Sequence, residues 1–482
     1  MSHLPQVYRP PFGLLTDLYQ LTMAAGYYDR GMHERTAVFH LFYRKAPFGG
    51  KFALAAGLPL VIDLIENFRF GVEDIQYLGG LKGANGQPLF REPFLNYLQR
   101  MKFSGTIHAL PEGEVVFPHV PLLRIEAPLI QAQLLETALL TIINFSTLIA
   151  TKAARIKAAA GEDTVLEFGL RRAQGIDGGL TASRAAYVGG CDATSNVWAG
   201  RYYGIPVRGT HAHSWVMAFP DETEAFAAYA AAQPNNCILL VDTYDTVEGV
   251  KKAVATGLML RERGHELLGV RLDSGDLVEL SQTARRLLDE GGFPEAKVVA
   301  SDSLDEYAIA DLKARGARID VWGIGTKLAT AYDQPALGGV YKLGAIQNER
   351  GEWEEKIKRS DTPIKTSNPG KLNVRRAYVP ERYGPFHQGY YLYNELDEGA
   401  PTTFVTGSGE PFSPVLPEEG ASDLLRPVFE HGRLTYAIPS LAGTRARALE
   451  NWKYASNWFS GEGEHVFYDE RLYAKKQRLL SE

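Results

Sequence analysis

The segment GTHAHSWVM, residues 209–217, holds two histidines separated by one residue in a chain of 482 residues with 11 histidines. On an extended segment, the side chains of His211 and His213 point to the same face. Two imidazoles are too few for a zinc site unless other ligands join them, and no third histidine is nearby in the sequence. The spacing leaves three roles open: a general base, a nucleophile that accepts a phosphoryl group, or a structural hydrogen-bonding group.

Polar residues also follow a series of short apolar stretches that predict strands. They are Arg171, Thr210 with His213, Asp242, Arg271 with Asp273, Asp302, and the loop containing Gly323, Gly325 and Thr326. In β/α barrels, ligands bind where the carboxyl ends of the strands meet, and the opposite rim serves stability. Alone, Asp242 or Ser274 would predict only a helix cap. Six such sites in register favour one shared pocket.

Repeated strand-helix units would position these side chains. Between about residues 161 and 343, predicted helices alternate with the predicted strands TVLEFG, IPVRG, CILLVD, LLGVRLD, KVVASD and IDVWGIG. Such units imply a parallel sheet with right-handed crossovers. An open dinucleotide-binding sheet is one alternative, but no G-x-G-x-x-G motif follows the first strand. We therefore predict an α/β fold with an irregular β/α barrel.

The two ends of the chain do not show the repeated strand-helix units of the middle segment. Residues 36–44 and 106–126 predict strands, residues 133–160 predict a helix that Gly161 stops, and GAIQNERGEWEEKIKRS predicts a hairpin. Each end alone would bury too little apolar surface to form a stable hydrophobic core. We predict a second α+β domain formed from residues 1–135 and 345–482, with residues 136–344 as the barrel domain.

Composition limits the setting of the protein. The formal net charge of −6 and the pI near 6.1 argue against nucleic acid or a membrane surface as the main partner. Two cysteines, Cys191 and Cys237, exclude a disulfide framework and fit a reducing compartment, so we expect a cytoplasmic location. The start, MSHLPQVYRPPFG, lacks the apolar core of a signal peptide. Polar residues interrupt the apolar stretch 129–149, which predicts a buried helix and no membrane span.

Several motifs together resemble the nicotinate phosphoribosyltransferase family, which belongs to the type II phosphoribosyltransferases. They are LLTDLYQLTMAAGYY, EFGLRRAQG, G-T-x-A-H-S, VDTYDT, VRLDSGDL and WGIGTKL, in this order along the chain. The resemblance implies a β/α barrel beside a second domain built from both chain ends. It also implies the reaction of nicotinate, phosphoribosyl pyrophosphate and ATP to nicotinate mononucleotide, pyrophosphate, ADP and phosphate, the first step of NAD synthesis from nicotinate.

The chemistry of this reaction suits the polar residues. Displacement of pyrophosphate passes through an oxocarbenium-like state, so the protein must hold ribose hydroxyls and screen the charge of the leaving group. Asp273, Ser274 and Asp302 suit ribose hydroxyls, and Asp273 also suits a Mg²⁺ ion that bridges the pyrophosphate. Arg271 suits a phosphate oxygen. The loop with Gly323, Gly325 and Thr326 offers N–H groups and a hydroxyl to a 5′-phosphate.

A flat, anionic base needs an aromatic face and a cation that can hold its carboxylate. Phe168 and Arg171 offer both from one strand end. The resemblance adds Tyr19 and Thr210, and we expect Ser214 and Arg271 to line the same pocket. It further implies a homodimer with shared active sites, in which Tyr19 reaches the base from the neighbouring subunit.

The resemblance also favours His213 as the carrier of a phosphoryl group from ATP. We expect Asp242, at the next strand end, to fix the tautomer of His213. His211 would then line the pocket or meet solvent and take no part in the chemistry.

Three other functions stay open. A nicotinamide phosphoribosyltransferase would carry an acid at the turn ATSNV, where Thr194, Ser195 and Asn196 are neutral but Asp192 is close. A histidine phosphatase should show an Arg-His-Gly motif near the start, and none is present. A non-catalytic phosphate-binding barrel would keep the loop around Gly325 but would need neither Asp242 nor His213.

Overall fold

The computed structural model describes residues 11–360, 362–379, 387–415, 422–458 and 464–482. The chain forms two compact units. The barrel unit comprises Leu148–Pro335 with Leu441–Leu449, and the terminal unit comprises Met1–Thr147, Ala336–Ser440 and Glu450–Glu482. The predicted domain bounds, 1–135, 136–344 and 345–482, stay a prediction.

The barrel unit is built on a parallel sheet of six strands. Their order is Ala193–Thr194, Thr164–Glu167, Val321–Ile324, Lys297–Ala300, Gly269–Leu272 and Ile238–Leu240. The helices of this unit are Gly175–Val188, Val197–Tyr203, His213–Met217, Glu222–Ala232, Thr246–Glu262, Leu277–Glu290, Glu306–Ala314 and Thr326–Ala329, with a 3-10 turn at Leu170–Arg172. The predicted α/β fold with a parallel sheet is confirmed.

An irregular segment lies between the two edge strands of this sheet. The predicted strand IPVRG is wrong as a strand, because it makes only one parallel bridge, between Thr194 and Val207. On its other side, the amide of Asn236 donates to the carbonyl of Gly209 at 3.3 Å, and the backbone N–H of Leu240 donates to His211 at 3.2 Å. The barrel is therefore irregular because side chains replace backbone hydrogen bonds along this segment.

Helix caps follow the strand ends at a short distance. Asp245 accepts one backbone N–H group, and Asp276 and Asp305 accept two each, from the first turn of the helix that follows. Asp242 and Ser274 are therefore not the capping residues of these helices. Their side chains point elsewhere, toward the site described below.

The terminal unit contains antiparallel and mixed sheets made from both ends of the chain. A seven-stranded sheet has the order Trp353–Glu355, Gly339–Gln347, Thr36–Tyr43, Leu123–Pro128, Thr106–Ala109, Arg426–Glu430 and Arg433–Leu434. A five-stranded sheet has the order Leu372–Val379, His387–Asn394, Val466–Asp469, Phe404–Val405 and Pro411–Phe412, and Ala53–Leu54 pairs with Val115–Val116. The predicted hairpin after Gly344 is confirmed by the pairing of Ala345 with Glu355.

The helices of the terminal unit include one that carries a predicted ligand-binding residue. They are Leu18–Asp29, Leu58–Asn67, Val72–Gly80, Glu92–Arg100, Leu129–Leu134 and Glu470–Ser481, with 3-10 turns at Pro47–Gly49 and Pro363–Lys365. Tyr19 lies on the first of these helices. The helix Leu441–Trp458 contributes residues to both units.

The long helix Glu136–Ala160 ends at Gly161, whose φ of 68° is a conformation that favours glycine. By length and composition alone, this helix could cross a membrane. However, 67% of its most apolar window is buried within the protein. This burial is the property expected of a core helix.

Candidate active site

Arg271 is the centre of a hydrogen-bonded cluster at the carboxyl ends of the barrel strands. Its Nε donates to Ser301 Oγ at 2.6 Å, one terminal nitrogen donates to Thr210 Oγ1 at 3.0 Å, and the other donates to Asp273 Oδ1 at 3.0 Å. The guanidinium lies 6.0 Å from the centre of the Phe168 ring. The structure thus brings Phe168, Thr210, Arg271 and Asp273 together, as the sequence predicted they would be.

Asp242 supports the backbone beside this cluster. Its Oδ2 accepts the N–H of Asp273 at 2.9 Å and the hydroxyl of Ser274 at 2.6 Å. Its Oδ1 is buried and has no hydrogen-bond partner within the described part of the chain. A carboxylate oxygen in this state can accept a hydrogen bond from a ligand or bind a cation.

His213 is held by groups other than the predicted one. Its Nδ1 lies 3.1 Å from the hydroxyl of Thr243, and its Nε2 lies 3.7 Å from Asp273 Oδ2. The expected pairing with Asp242 is therefore wrong: Asp242 bonds to the N–H of Asp273 and the hydroxyl of Ser274, and the ring of His213 lies beside Thr243 and Asp273 instead. His213 is also the first residue of the helix His213–Met217, which the prediction of an extended segment missed.

The two histidines have different surroundings. His211 is 7% exposed, and its Nε2 accepts the backbone N–H of Leu240. Burial lowers the pKa of His211, with Arg271 and His213 as further causes in the same direction. The expectation that His211 lines the pocket or meets solvent is corrected: it is a buried, neutral hydrogen-bond acceptor in the barrel wall.

Gly323 lies within the strand Val321–Ile324, so its predicted place in a phosphate-binding loop is corrected. A Cβ at this position would stand 2.8 Å from two carbons of the Phe168 ring. The missing side chain therefore makes room for the aromatic face. Gly325 and Thr326 follow this strand and begin the short helix Thr326–Ala329.

The remaining predicted residues are exposed. Asp302 accepts the N–H of Ser303 at 2.7 Å, Arg171 lies in the 3-10 turn Leu170–Arg172, and Ser214 is on the helix of His213. Tyr19, in the terminal unit, is 50% exposed. Among the described residues, none of these four side chains makes a hydrogen bond to the Arg271 cluster. The ligand-binding roles of Asp302, Arg171, Ser214 and Tyr19 stay predictions.

Three side chains of the site were missed by the sequence analysis. Thr243 contacts His213, and Ser301 joins Arg271 to Asp273, to which its hydroxyl donates at 2.5 Å. Glu167 is 1% exposed and accepts hydrogen bonds from the N–H of Gly169 and the hydroxyls of Ser183 and Thr194. Thr243 and Ser301 lie within a few residues of a strand end, which is the signal that could have found them.

Magnesium fits only as an ion shared with a substrate. Among the described residues, no group of three or more His, Cys, Asp and Glu side chains could hold a metal ion. Mg²⁺ is commonly held by one or two carboxylates together with substrate phosphates and water. The unpartnered oxygen of Asp242 and the carboxylate of Asp273 satisfy this requirement.

Comparisons with known proteins show the family of this chain. Residues 14–144 match the family model described as the nicotinate phosphoribosyltransferase (NAPRTase) N-terminal domain, and residues 164–382 match that of the nicotinate phosphoribosyltransferase (NAPRTase) family. The nicotinate phosphoribosyltransferase of Bacillus subtilis (strain 168) is 46% identical over 475 residues, covering 97% of this chain and 95% of that protein. The chain belongs to the nicotinate phosphoribosyltransferase family.

Solved structures extend this similarity to the fold. The crystal structure of human nicotinic acid phosphoribosyltransferase is similar with a TM-score of 0.82 and 34% identity, covering 96% of this chain and 99% of that one. The crystal structure of nicotinate-nucleotide pyrophosphorylase from Pyrococcus furiosus has a TM-score of 0.67 at 21% identity, over 92% of this chain and 96% of that one. The second similarity concerns the fold alone. The resemblance found in the motifs is confirmed for the family.

Proposed function

We propose that this family member joins nicotinate to phosphoribosyl pyrophosphate, using ATP, to form nicotinate mononucleotide and pyrophosphate, ADP and phosphate. The observation that carries the proposal is the Arg271 cluster, which places a cation beside Phe168 and joins it to Thr210 and Asp273. An aromatic face with a neighbouring cation suits a flat pyridine carboxylate. The adjoining carboxylates suit the ribose.

The transfer needs no general base. The lone pair of the pyridine nitrogen forms the bond to the anomeric carbon, and the bond from that carbon to pyrophosphate breaks with its electrons leaving on oxygen. Asp273, Ser274 and Asp302 would hold the ribose hydroxyls, and Gly325 and Thr326 the 5′-phosphate. Asp242 and Asp273 would hold Mg²⁺, which, when bound, supplies positive charge to the leaving pyrophosphate.

His213 would carry the phosphoryl group of ATP. Nδ1 donating to Thr243 would leave the lone pair of Nε2 free to attack the γ-phosphorus, so that a nitrogen–phosphorus bond forms and ADP leaves. Water would later release phosphate and restore the imidazole. Asp273, 3.7 Å from Nε2, would stabilise the positive ring.

The turn ATSNV supports nicotinate over nicotinamide. Asp192 accepts hydrogen bonds from Arg445 at 2.6 Å and from the N–H of Val165 at 2.8 Å, so it belongs to the start of the strand Thr164–Glu167. Phe168 follows the other end of that strand. Thr194 and Asn196 are 1% exposed and bond within the protein, so Ser195 is the partly exposed one of these three neutral polar side chains.

We also propose a homodimer with shared active sites. The first helix of the terminal unit and the residues before it present large apolar side chains to solvent: Leu14, Leu15, Leu18, Tyr19 and Met23. An apolar group of this kind commonly marks a protein interface. A cytoplasmic location is part of the proposal, and the two buried, free cysteines are compatible with it.

The test is a side-by-side assay of nicotinate and nicotinamide with phosphoribosyl pyrophosphate, with and without ATP. We expect nicotinate mononucleotide as the product and stimulation by ATP. Labelled ATP should leave an acid-labile, base-stable adduct that His213→Ala lacks and His211→Ala retains. Preference for nicotinamide, or binding of phosphoribosyl pyrophosphate without turnover, would contradict the proposal.

A further inference from the structure

The interior of the barrel is accessible to solvent from the amino ends of its strands. Within the strands, the residues that face the helices are fully buried: Val165, Leu239, Val298 and Trp322. The preceding residue of each strand faces the interior and is partly or largely exposed: Thr164, Ile238, Lys297 and Val321. In a packed β/α barrel, layers of inward-facing side chains fill this space. This barrel is hollow at the end opposite to the Arg271 cluster.

A single cavity of about 660 Å³ occupies this space, and we call it the barrel channel. Its inner end is formed by Phe168 and Thr210. Its walls are mostly apolar and include Leu166, Ile238, Val299 and Val321. Its mouth is lined by exposed residues: Arg208, Arg261, Glu266, Leu268, Glu295 and Lys297.

We propose that the barrel channel binds and conducts nicotinate between the amino-end rim and the base pocket. This inference rests on the proposed function, because it takes Phe168 and Thr210 as the base pocket. A volume of this size lies within the usual range for small-molecule sites, about 300 to 1,000 Å³. Apolar walls suit the faces of a pyridine ring.

The charges at the mouth suit a small anion. Three cations and two carboxylates line it, and Arg261 is bonded to Glu266 at 2.7 Å. The ammonium of Lys297 lies 3.9 Å from Asp320 Oδ1, and the Lys297 side chain is 52% exposed. Lys297 and Arg208 can therefore meet an incoming carboxylate at the entrance.

The channel gives the base a path that the second substrate does not obstruct. Phosphoribosyl pyrophosphate would occupy the carboxyl-end rim, where Asp242, Asp273 and Asp302 lie. It would cover Phe168 from that side. Nicotinate could then enter and leave through the mouth, so that the two substrates bind in either order.

A reversible block of the mouth tests this route on the full-length protein. Leu268, 40% exposed, lines the mouth, and Leu258, 48% exposed on the helix Thr246–Glu262, does not line the channel. Leu268→Cys and Leu258→Cys are therefore a matched pair for a bulky disulfide-forming reagent. The native thiols will react slowly, because burial raises the pKa of Cys191 and raises that of Cys237 to about 12.

The measurement is the release rate of labelled nicotinate in the presence of an unreactive carbocyclic analogue of phosphoribosyl pyrophosphate. Modified Leu268→Cys should release nicotinate at least tenfold more slowly than the unmodified protein, and reductant should restore the rate. Modified Leu258→Cys should keep the parental rate. Unchanged release from modified Leu268→Cys would overturn the channel proposal alone. Failure of the unmodified protein to bind nicotinate would overturn the proposed function, and the channel proposal with it.

An internal plug gives a second measurement that needs no reagent. Val321→Phe adds volume to the channel wall, and Leu258→Phe places the same side chain on an exposed helix face. Thermal unfolding first establishes that both variants are folded. With the carbocyclic analogue bound, we expect Val321→Phe to release nicotinate at least tenfold more slowly than the parent and Leu258→Phe to release it at the parental rate. Equal rates for the two variants would overturn the proposal.

Discussion

At the residue scale, His213 differs from its neighbour His211 through its contacts. One ring nitrogen of His213 meets the hydroxyl of Thr243, and the other faces Asp273. In the proposed function, the hydroxyl of Thr243 accepts from Nδ1 of His213, and the carboxylate of Asp273 stabilises positive charge on the ring. Asp242 accepts the backbone N–H of Asp273, the residue whose carboxylate faces His213.

The role of Thr243 can be measured directly. Loss of one hydrogen bond, worth about 1.5 kcal/mol, should reduce the rate of His213 phosphorylation about tenfold in Thr243→Val. Thr243→Ser keeps the hydroxyl and should restore the rate. Binding of nicotinate should stay within about twofold of the parent in both variants. A Val variant that is phosphorylated as fast as the Ser variant would assign the tautomer to another group.

Arg171 and Arg271 should differ in their selectivity. Arg171 is exposed, whereas Arg271 donates hydrogen bonds to both Thr210 and Asp273. If Arg171 holds the nicotinate carboxylate, Arg171→Ala costs about 1.5 to 3 kcal/mol, which is roughly ten- to a hundredfold in nicotinate binding. Phosphoribosyl pyrophosphate binding should hardly change. Arg271→Ala should weaken the binding of both substrates. If Arg171→Ala weakened the binding of nicotinate and of phosphoribosyl pyrophosphate equally, Arg171 would not be the residue that holds the nicotinate carboxylate.

At the element scale, closure of the barrel depends on a side chain. The segment between the strands Ala193–Thr194 and Ile238–Leu240 has one backbone bridge, and His211 provides an acceptor for the Leu240 N–H on the other side. The same segment leads into the helix that carries His213. Barrel closure and the position of His213 are thus coupled through a few residues.

His211→Ala should leave the buried N–H of Leu240 without its acceptor, at a cost of about 1 to 3 kcal/mol in the free energy of unfolding. Urea unfolding followed by circular dichroism measures this cost. His211→Gln places an amide oxygen near the original Nε2 and should recover part of the loss. Equal stability of the Ala and Gln variants would show that the hydrogen bond contributes little.

At the scale of the whole molecule, acid sensitivity should come partly from His40 in the terminal unit. His40 is 2% exposed, and its Nε2 accepts the N–H of Leu372 at 3.1 Å. Burial and the nearby Arg124 lower the pKa of His40 to about 3. Between these two pKa values, His40 therefore binds a proton in the unfolded chain but not in the folded chain. The contribution of neutral His40 to the free energy of unfolding is fully present above about pH 6.5 and is lost as the pH falls through 3.

The expected slope is up to about 1.4 kcal/mol per pH unit between these values. Urea unfolding across this range should show a shallower slope for His40→Gln than for the parent. His431→Gln, at an exposed position, should keep the parental slope. The same slope in all three proteins would assign the acid sensitivity to other groups.

The proposed sharing of active sites between subunits is also tested at the scale of the whole molecule. Tyr19→Ala and His213→Ala should each be inactive, and subunit exchange should give heterodimers in which one site has both lesions and the other has neither. Equal mixing should restore about a quarter of parental activity, since about half of the dimers are mixed and each has one intact site. Absence of recovery despite measured exchange would place Tyr19 in the pocket of its own subunit.

The sequence alone determined the family, the alternation of strands and helices, and the rim on which the polar residues meet. These features are local, because a strand end and the residue after it are adjacent in the chain, and parallel strands bring their carboxyl ends to one edge. Phe168, Arg271 and Asp273 could therefore be assigned to one cluster in advance. Thr243 and Ser301 could not, because a hydroxyl near a strand end has many uses.

Only the tertiary structure decided which side chain meets which. The ring of His213 lies beside Thr243 and Asp273, whereas Asp242 accepts the N–H of Asp273 and the hydroxyl of Ser274. Burial of His211 follows from the meeting of segments that are about 30 residues apart in sequence. The hollow interior likewise depends on how far the walls stand from one another, a distance that the pattern of apolar residues along a strand does not contain.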